Sequence, residues 1–221
     1  LEACDLIVGY TAYIDLVRAD FPQKETLSTG MRREVDRCRA AVEAARTGKD
    51  VAVVCSGDSG VYGMAGLIYE VAQEYDPIEI EGVPGITACG GAAVLGAPLT
   101  HDFAVVSLSD LLTPWEKITA RLTAAAQADF VLCLYTPASH SRPDYLQRAC
   151  DILLSAGKDP ATVCGTVRNI GRAGEEAALL TLGELRDTQV DMFTTVFVGN
   201  SQTKVIGGKM VTPRGYLQRG E

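Results

Sequence analysis

The sequence predicts an α/β protein of two α/β domains, the first built on a mostly parallel sheet and the second on a mixed one. Three observations carry this. Short runs of branched apolar residues alternate with segments of helical period through roughly the first hundred residues. One of those runs, VAVVC at residues 51–55, has no polar alternation, as a strand covered on both faces of a parallel sheet would. Beyond residue 102 the rhythm changes, and strand-like runs crowd the end of the chain. The expected boundary lies in GAPLTHD, giving domains at residues 1–101 and 102–221.

The elements follow in order. DLIVGY, residues 5–10, predicts a strand, and the opening residues 1–5 read as the end of a helix, so a preceding segment is expected before residue 1. Ser28, Thr29 and Gly30 predict the start of a long helix, with Met31, Val35, Cys38, Val42 and Ala45 as its apolar stripe and Gly48 as its stop. Residues 61–74 predict a helix and 78–82 a strand. Residues 87–95 predict a helix of small residues that must lie close against a neighbour. In the second half, residues 103–108 predict a strand. Thr113 is expected to cap the next helix, with Pro114 in its first position and Glu116 closing a capping box. Trp115, Ile118, Leu122 and Ala125 share one face of that helix. Strands are expected at 130–135 and 162–167, a helix at 143–156, strands at 177–181, 194–198 and 204–210, and a short helix at 182–187.

Composition narrows the function. The chain has 221 residues, 47% hydrophobic and 22% charged, enough for one large core or two modest ones. A net charge of −8 argues against a nucleic-acid-binding surface, although a few arginines can reverse the sign inside a cleft. No apolar run is long enough to span a bilayer, so no membrane partner is expected. Cys4, Cys38, Cys55, Cys89, Cys133, Cys150 and Cys164 form no CxxC pair and are odd in number. They read as buried, reduced thiols of a cytoplasmic protein. With only His101 and His140 beside them, to which no role is assigned, no metal site is expected.

The turn CSGDSGVYG, residues 55–63, places one carboxylate, Asp58, among small residues after an apolar strand. A trypsin-like nucleophile at Ser59 fails, because that triad runs His, Asp, Ser along the chain and no histidine precedes Ser59. A dinucleotide loop has the right setting but lacks the G-x-G-x-x-G spacing. It would also set Asp58 against a pyrophosphate, a repulsion of roughly 4 kcal/mol at about 4 Å in a partly buried site. An amino-acid moiety suits the turn better: Asp58 holds the ammonium, and the N–H groups of Gly60 and Val61 take the carboxylate. The alternative is a plain helix N-cap by Asp58 or Ser59. A second turn, VPGITACGG at residues 83–91, would lie beside the first at the same sheet edge, where open α/β sheets bind ligands.

CSGDSGVYGMAG and VPGITA, followed by GAPLTHDF, resemble the signature blocks of the tetrapyrrole methylases, the class III S-adenosyl-L-methionine-dependent methyltransferases. VSLSDLLTPWE, LYTPASHSRP, TVRNIGRAGEE, DMFTTVFVGNSQT and KMVTPRGY are similar to the branch of that family acting at C17 of precorrin-3B or cobalt-factor III in cobalamin biosynthesis. The resemblance spans almost the whole chain. It implies two α/β domains with the cofactor in the interdomain cleft, usually in a homodimer, and C-methylation with ring contraction. S-adenosyl-L-methionine is the implied cofactor and S-adenosyl-L-homocysteine its product. Ser56, Gly57, Asp58 and Val61 match the family's cofactor loop, Thr87 and Ala88 its second contact, and Thr136 and Gly165 its contacts from the second domain. The chain departs in having Ser59 where many relatives have proline, and in starting after the family's first strand and Gly-Pro loop. The implied substrate is a polycarboxylate tetrapyrrole. Arg142, Arg168, Asn169 and Arg172 are its candidate clamps, because guanidinium pairs a carboxylate through two bonds. Ser107, Ser109 and Asp110 are candidates to assist proton shifts, and Gln202 is a further candidate contact. No catalytic residue is named. Two alternatives remain: a methylase of the same fold with another substrate or ring position, and a non-catalytic module that binds an amino acid or nucleoside.

Overall fold

The computed structural model describes residues 1–216 and divides the chain into two compact units, Leu1–Thr87 and Ala88–Glu221. The division precedes the small-residue stretch that the sequence boundary at residue 101 leaves in the first half. That stretch packs within the second unit, where Ala92 and Leu95 join Cys133, Val167 and Phe197 in one apolar cluster.

In the first unit, β1 (Leu6–Tyr10), α1 (Thr11–Arg18), β2 (Glu25–Thr29), α2 (Glu34–Arg46), β3 (Val51–Val54) and α3 (Ala65–Ala72) form a parallel sheet of order β2-β1-β3 with its helices. β1 is central, so Leu6, Ile7 and Val8 are buried. β3 pairs with β1 alone and is half-buried, not covered on both faces as its unbroken apolar run implied. Two elements escape the sequence reading. α1 follows β1 without a polar cap, and β2 (ETLST) is a polar edge strand. The helix expected from Ser28 therefore starts at Glu34, after a turn in which Arg32 is left-handed (φ 64). Its buried face is Arg37, Cys38, Ala41 and Val42, while Met31 and Val35 are exposed. No strand forms at 78–82. The Ile-Glu alternation there has no ladder partner, and Tyr69 donates to the Ile80 carbonyl instead.

In the second unit a 3₁₀ turn (Ala88–Gly91) leads into α4 (Ala92–Leu95) and β4 (Gly96–Ala97). Then follow β5 (Phe103–Ser107), α5 (Trp115–Gln127), β6 (Val131–Tyr135), α6 (Tyr145–Ser155), β7 (Val163–Arg168), β8 (Glu176–Thr181), α7 (Leu182–Arg186) and β9 (Thr194–Val198). A hairpin of β10 (Lys204–Ile206) and β11 (Lys209–Val211) closes the unit. The main sheet has the order β5-β6-β9-β7-β8, with only β5 and β6 parallel. Both faces are covered. Leu132, Leu134, Val196 and Val198 face Ile118, Leu122, Leu146 and Leu182, and the intervening Cys133 and Phe197 face Ala92 and Leu95. That explains the unalternated apolar runs of β6 and β9. Burial pushes the thiols of Cys150 and Cys164 up to about 12, so both are protonated packing groups at neutral pH.

Two local expectations change. Thr113 does not cap α5. The cap position is Pro114, with no side-chain bond, because Pro114 itself is extended (ψ 142) and the helix begins one residue later. The capping box stands at α7, where Thr181 and Glu184 exchange bonds. Residues 204–210 are not one strand, because Gly207 and Gly208 are both left-handed (φ 57 and 75) and turn the chain back on itself.

Gly165 lies in β7 between Phe197 and Leu179, and a Cβ there would stand 2.5 Å from Leu95 Cδ1. Leu95 is buried and has little room to retreat. Gly165→Ala is expected to destabilise the fold by about 1–3 kcal/mol through overpacking, read as a lower urea midpoint at unchanged slope.

Candidate active-site edges

After β3, residues 55–64 form a turn in which Gly57 is left-handed (φ 80). Asp58 closes it: Oδ1 accepts the Gly60 N–H (2.8 Å) and Oδ2 accepts the Gly85 N–H (2.9 Å). The Gly85, Gly60 and Val61 N–H groups outweigh the partial burial of Asp58 and hold its carboxyl below its ordinary 3.8. At Gly85 a Cβ would sit 2.2 Å from the Gly57 carbonyl oxygen, so the second turn approaches the first backbone to backbone. The two turns do lie side by side, as the sequence implied, although one does not follow a strand.

The bonding corrects the helix-cap reading of Asp58 and one half of the amino-acid reading. It caps no helix: α3 begins at Ala65 without a side-chain cap, and the Ala65 N–H goes to the Ser59 carbonyl. Nor do the Gly60 and Val61 N–H groups await a ligand's carboxylate, since they donate to the side chain and carbonyl of Asp58. What remains for a ligand is the carboxylate itself. Each oxygen has accepted one bond and can accept another. Ser56, Gly57, Asp58 and Val61 thus come together with the Gly85 turn, and Ile86, 84% exposed, stands beside them as an apolar surface. Thr87 ends this unit.

In the second unit the carboxyl ends of β5, β6 and β7 share one edge. The Cys89 N–H donates to the Tyr135 hydroxyl (2.7 Å), which brings Ala88 and Thr136 to that edge. Thr136 is exposed and left-handed (φ 54), a conformation held at the cost of strain and concentrated at functional turns. Ser107 ends β5, and its Oγ accepts the Ser109 N–H (3.3 Å). Asp110 then meets Arg142 through an ion pair with the guanidinium Nε, and accepts a hydrogen bond from the Tyr145 hydroxyl. The Tyr145 bond, opposed by burial and aided by Arg142, holds the Asp110 carboxyl below its ordinary 3.8. Burial, reinforced by Asp110, pushes the Tyr145 hydroxyl up. Arg148 stacks on the Trp115 ring at 4.0 Å, and that ring lies 4.6 Å from Tyr145.

At the end of β7, Arg168 donates to Asp191 (2.7 Å) and lies 3.9 Å from Glu176. Burial raises Asp191, but Arg168, Thr194 and the Phe193 N–H together hold it below its ordinary value. Asn169 is left-handed (φ 52), and its amide donates to the Gly174 carbonyl. The Arg172 N–H donates to the Asn169 carbonyl in the same turn. Arg142 follows β6 and Arg168 ends β7, strands two sheet positions apart, about 10 Å. Each guanidinium is anchored by an acid at its Nε, Arg142 by Asp110 and Arg168 by Asp191.

Two candidates fall elsewhere. Gly165 lies inside β7, in register with Leu179 and Phe197, three residues from the strand end at Arg168. Gln202 follows β9, which runs antiparallel to β6 and β7, so it stands at the opposite end of the sheet, next to Ser201 and its partner Asp129. Sequence reasoning passed over Tyr145, which completes the Asp110–Arg142 contact. The available signal was an aromatic with arginines three residues to either side. Among the described residues no helix is long and apolar enough to cross a membrane, and no group of three or more His, Cys, Asp or Glu residues could hold a metal ion.

Residues 1–186 match the family described as Tetrapyrrole (Corrin/Porphyrin) Methylases. A probable cobalt-factor III C(17)-methyltransferase of Salmonella typhimurium is 49% identical over 98% of this chain and 90% of its own length. A cobalt-factor III methyltransferase of Priestia megaterium is 44% identical over 99% of this chain, which spans 42% of that longer relative. The crystal structure of the methyltransferase CobJ superposes with a TM-score of 0.88 at 36% identity, covering 96% of this chain and 90% of that one. The chain belongs to the tetrapyrrole methylase family.

Proposed function

We infer that this chain is an S-adenosyl-L-methionine-dependent methyltransferase that methylates cobalt-factor III at C17, with contraction of the macrocycle, in cobalamin biosynthesis. The observation that carries this is the 49% identity, over nearly the full length of both chains, to a relative named for that reaction. A cobalt-bearing rather than metal-free substrate follows the names of the relatives. A homodimer and a cytoplasmic location go with this reading. All seven cysteines are unpaired, which supports the location.

The residues of the first edge fit the cofactor. Asp58 has lone pairs left for an ammonium, the glycines admit a close backbone approach, and exposed Val61 and Ile86 offer apolar contact. When bound, S-adenosyl-L-methionine supplies a methyl group already activated on a sulfonium. The protein's share is then to hold a substrate carbon in line at near-attack distance and to exclude water. Orientation falls to the second edge. Asp110, ionised and committed to Tyr145 and Arg142, is a poor proton donor at neutral pH but a good anchor for the Arg142 guanidinium, whose free N–H groups suit a substrate carboxylate. Asp191 does the same for Arg168. Exposed Leu111, Leu112, Met192 and Phe193 lie in the loops next to these arginines and offer apolar surface to a flat macrocycle.

The test is methyl transfer from labelled S-adenosyl-L-methionine to cobalt-factor III, with precorrin-3B in parallel. Label is expected in a ring-contracted product and faster from the cobalt-bearing substrate. Tight binding of S-adenosylhomocysteine with transfer to neither substrate would remove this reading.

A further inference from the structure

Besides the Asp58 turn, the carboxyl edge of the first unit's parallel sheet carries a loop that none of the candidate residues touches. β2 ends at Thr29 in register with Tyr10 of β1, and residues 30–33 lead into α2. Beneath this loop lies Arg37, 4% exposed and in the first turn of α2, where the helix dipole disfavours a cation. Among the described residues no carboxylate pairs with it. Its guanidinium donates to Thr29 Oγ1 (2.8 Å) and the Gly30 carbonyl (3.1 Å), stands over the Tyr10 ring (6.0 Å) and reaches Met64 Sδ (3.7 Å). A buried cation without a counter-charge is costly. What it gains here is a rigid hold on the start of the loop.

The loop it braces presents a second cation outward. Arg32 is left-handed (φ 64), and its N–H is tied to Glu34 Oε1 (3.2 Å). Its guanidinium makes no ion pair among the described residues, whereas the neighbouring Arg33 is consumed by Asp36. Met31, half exposed, lies next to it in the chain, an adaptable apolar contact.

We propose that this loop is a carboxylate-binding subsite for an anionic macrocycle, with Arg32 as the contact, Met31 as its apolar neighbour and Arg37 as the positioning residue. The proposal rests on the reading of a polycarboxylate tetrapyrrole as substrate and adds the place in the first unit that recognises one of its side chains.

Binding of uroporphyrin, a stable polycarboxylate tetrapyrrole, is compared by fluorescence quenching with that of its uncharged methyl ester. Arg32→Gln is expected to weaken the acid about ten-fold, the loss of one charge-assisted pair, and to leave the ester and S-adenosylhomocysteine unchanged. Arg32→Lys regains part of the loss, and Arg39→Gln, on the far side of α2's first turns and paired with Glu74, behaves as the parent. Arg37→Gln weakens the acid in the parent but not in the Arg32→Gln background, because it acts through Arg32. A parent that fails to bind the acid, an Arg32→Gln variant that binds acid and ester alike as the parent does, equal loss of both, or an additive Arg37 effect each overturns the subsite. Methyl transfer to cobalt-factor III is scored separately. Its failure with the acid-over-ester preference intact removes the reaction and leaves the subsite standing.

Discussion

Replacing Asp58 with alanine is expected to weaken binding of S-adenosylhomocysteine about a hundred-fold or more, with a much smaller change in the folding midpoint. The two carboxylate oxygens hold the N–H groups of Gly60, two residues on in its own turn, and of Gly85, 27 residues on in the next. Removing them leaves two backbone donors without a charged acceptor, frees the Gly57–Gly85 approach, and deletes the anion that would meet the ligand's ammonium. A charge-assisted bond is worth about a factor of ten or more in an equilibrium, and the ligand contact and the loop contacts are lost together. Asp58→Asn keeps the shape and one acceptor oxygen, and so falls between parent and alanine. The pH dependence has a definite sign. A carboxyl held below its ordinary 3.8 contributes fully above that value and loses its contribution as pH falls through the depressed one. Binding read by calorimetry is therefore flat, as far as Asp58 is concerned, from about pH 8 to about pH 5. Alanine at position 58 with unchanged affinity would mean the turn is structural only.

How much of this was legible follows from what each segment has to do. β1, β6 and β9 are central strands, so they read as apolar runs in one dimension. β2 is an edge strand whose ETLST carries little apolar signal, and its closing Ser28 and Thr29 imitate a helix cap. The opposite error arose at residues 78–82, where Ile alternates with Glu as in a strand but no neighbour supplies a ladder. A hydrophobic pattern reports burial, and it cannot report pairing. At the site the same limit applies. The turn around Asp58 is visible as a cluster of small residues around one acid, and its position was readable. Which donors that acid accepts was not, because Gly85 reaches it only through the folded chain. Tyr145 was missed for the same reason: its partner lies 35 residues away. Gln202 was misplaced because motif order does not reveal strand direction, and the antiparallel run of β9 carries it to the far end of the sheet.

The second large effect is expected at Asp110, where alanine should lower kcat/KM for the tetrapyrrole about a hundred-fold and leave S-adenosylhomocysteine binding intact. Asp110 has two possible uses, and they predict different numbers. As a proton donor in ring contraction it would have to be protonated near neutral pH, yet the Tyr145 hydroxyl and the Arg142 guanidinium hold its carboxyl below 3.8. As a positioning residue it fixes Arg142 and accepts the hydrogen bond of the buried Tyr145 hydroxyl. Positioning makes the pair act as a unit. The Asp110→Ala and Arg142→Ala losses then fail to add, and the double variant is little worse than either single one. Tyr145→Phe, which removes one bond and keeps the ion pair, costs about ten-fold. The contribution of Asp110 is lost only as pH falls through its depressed value, so no acid limb of the kcat/KM profile near neutral pH belongs to it. Additive losses, or an acid limb near neutrality that disappears in Asp110→Asn, would make Asp110 a proton-transfer group and leave Arg142 to be held in place by Tyr145 alone.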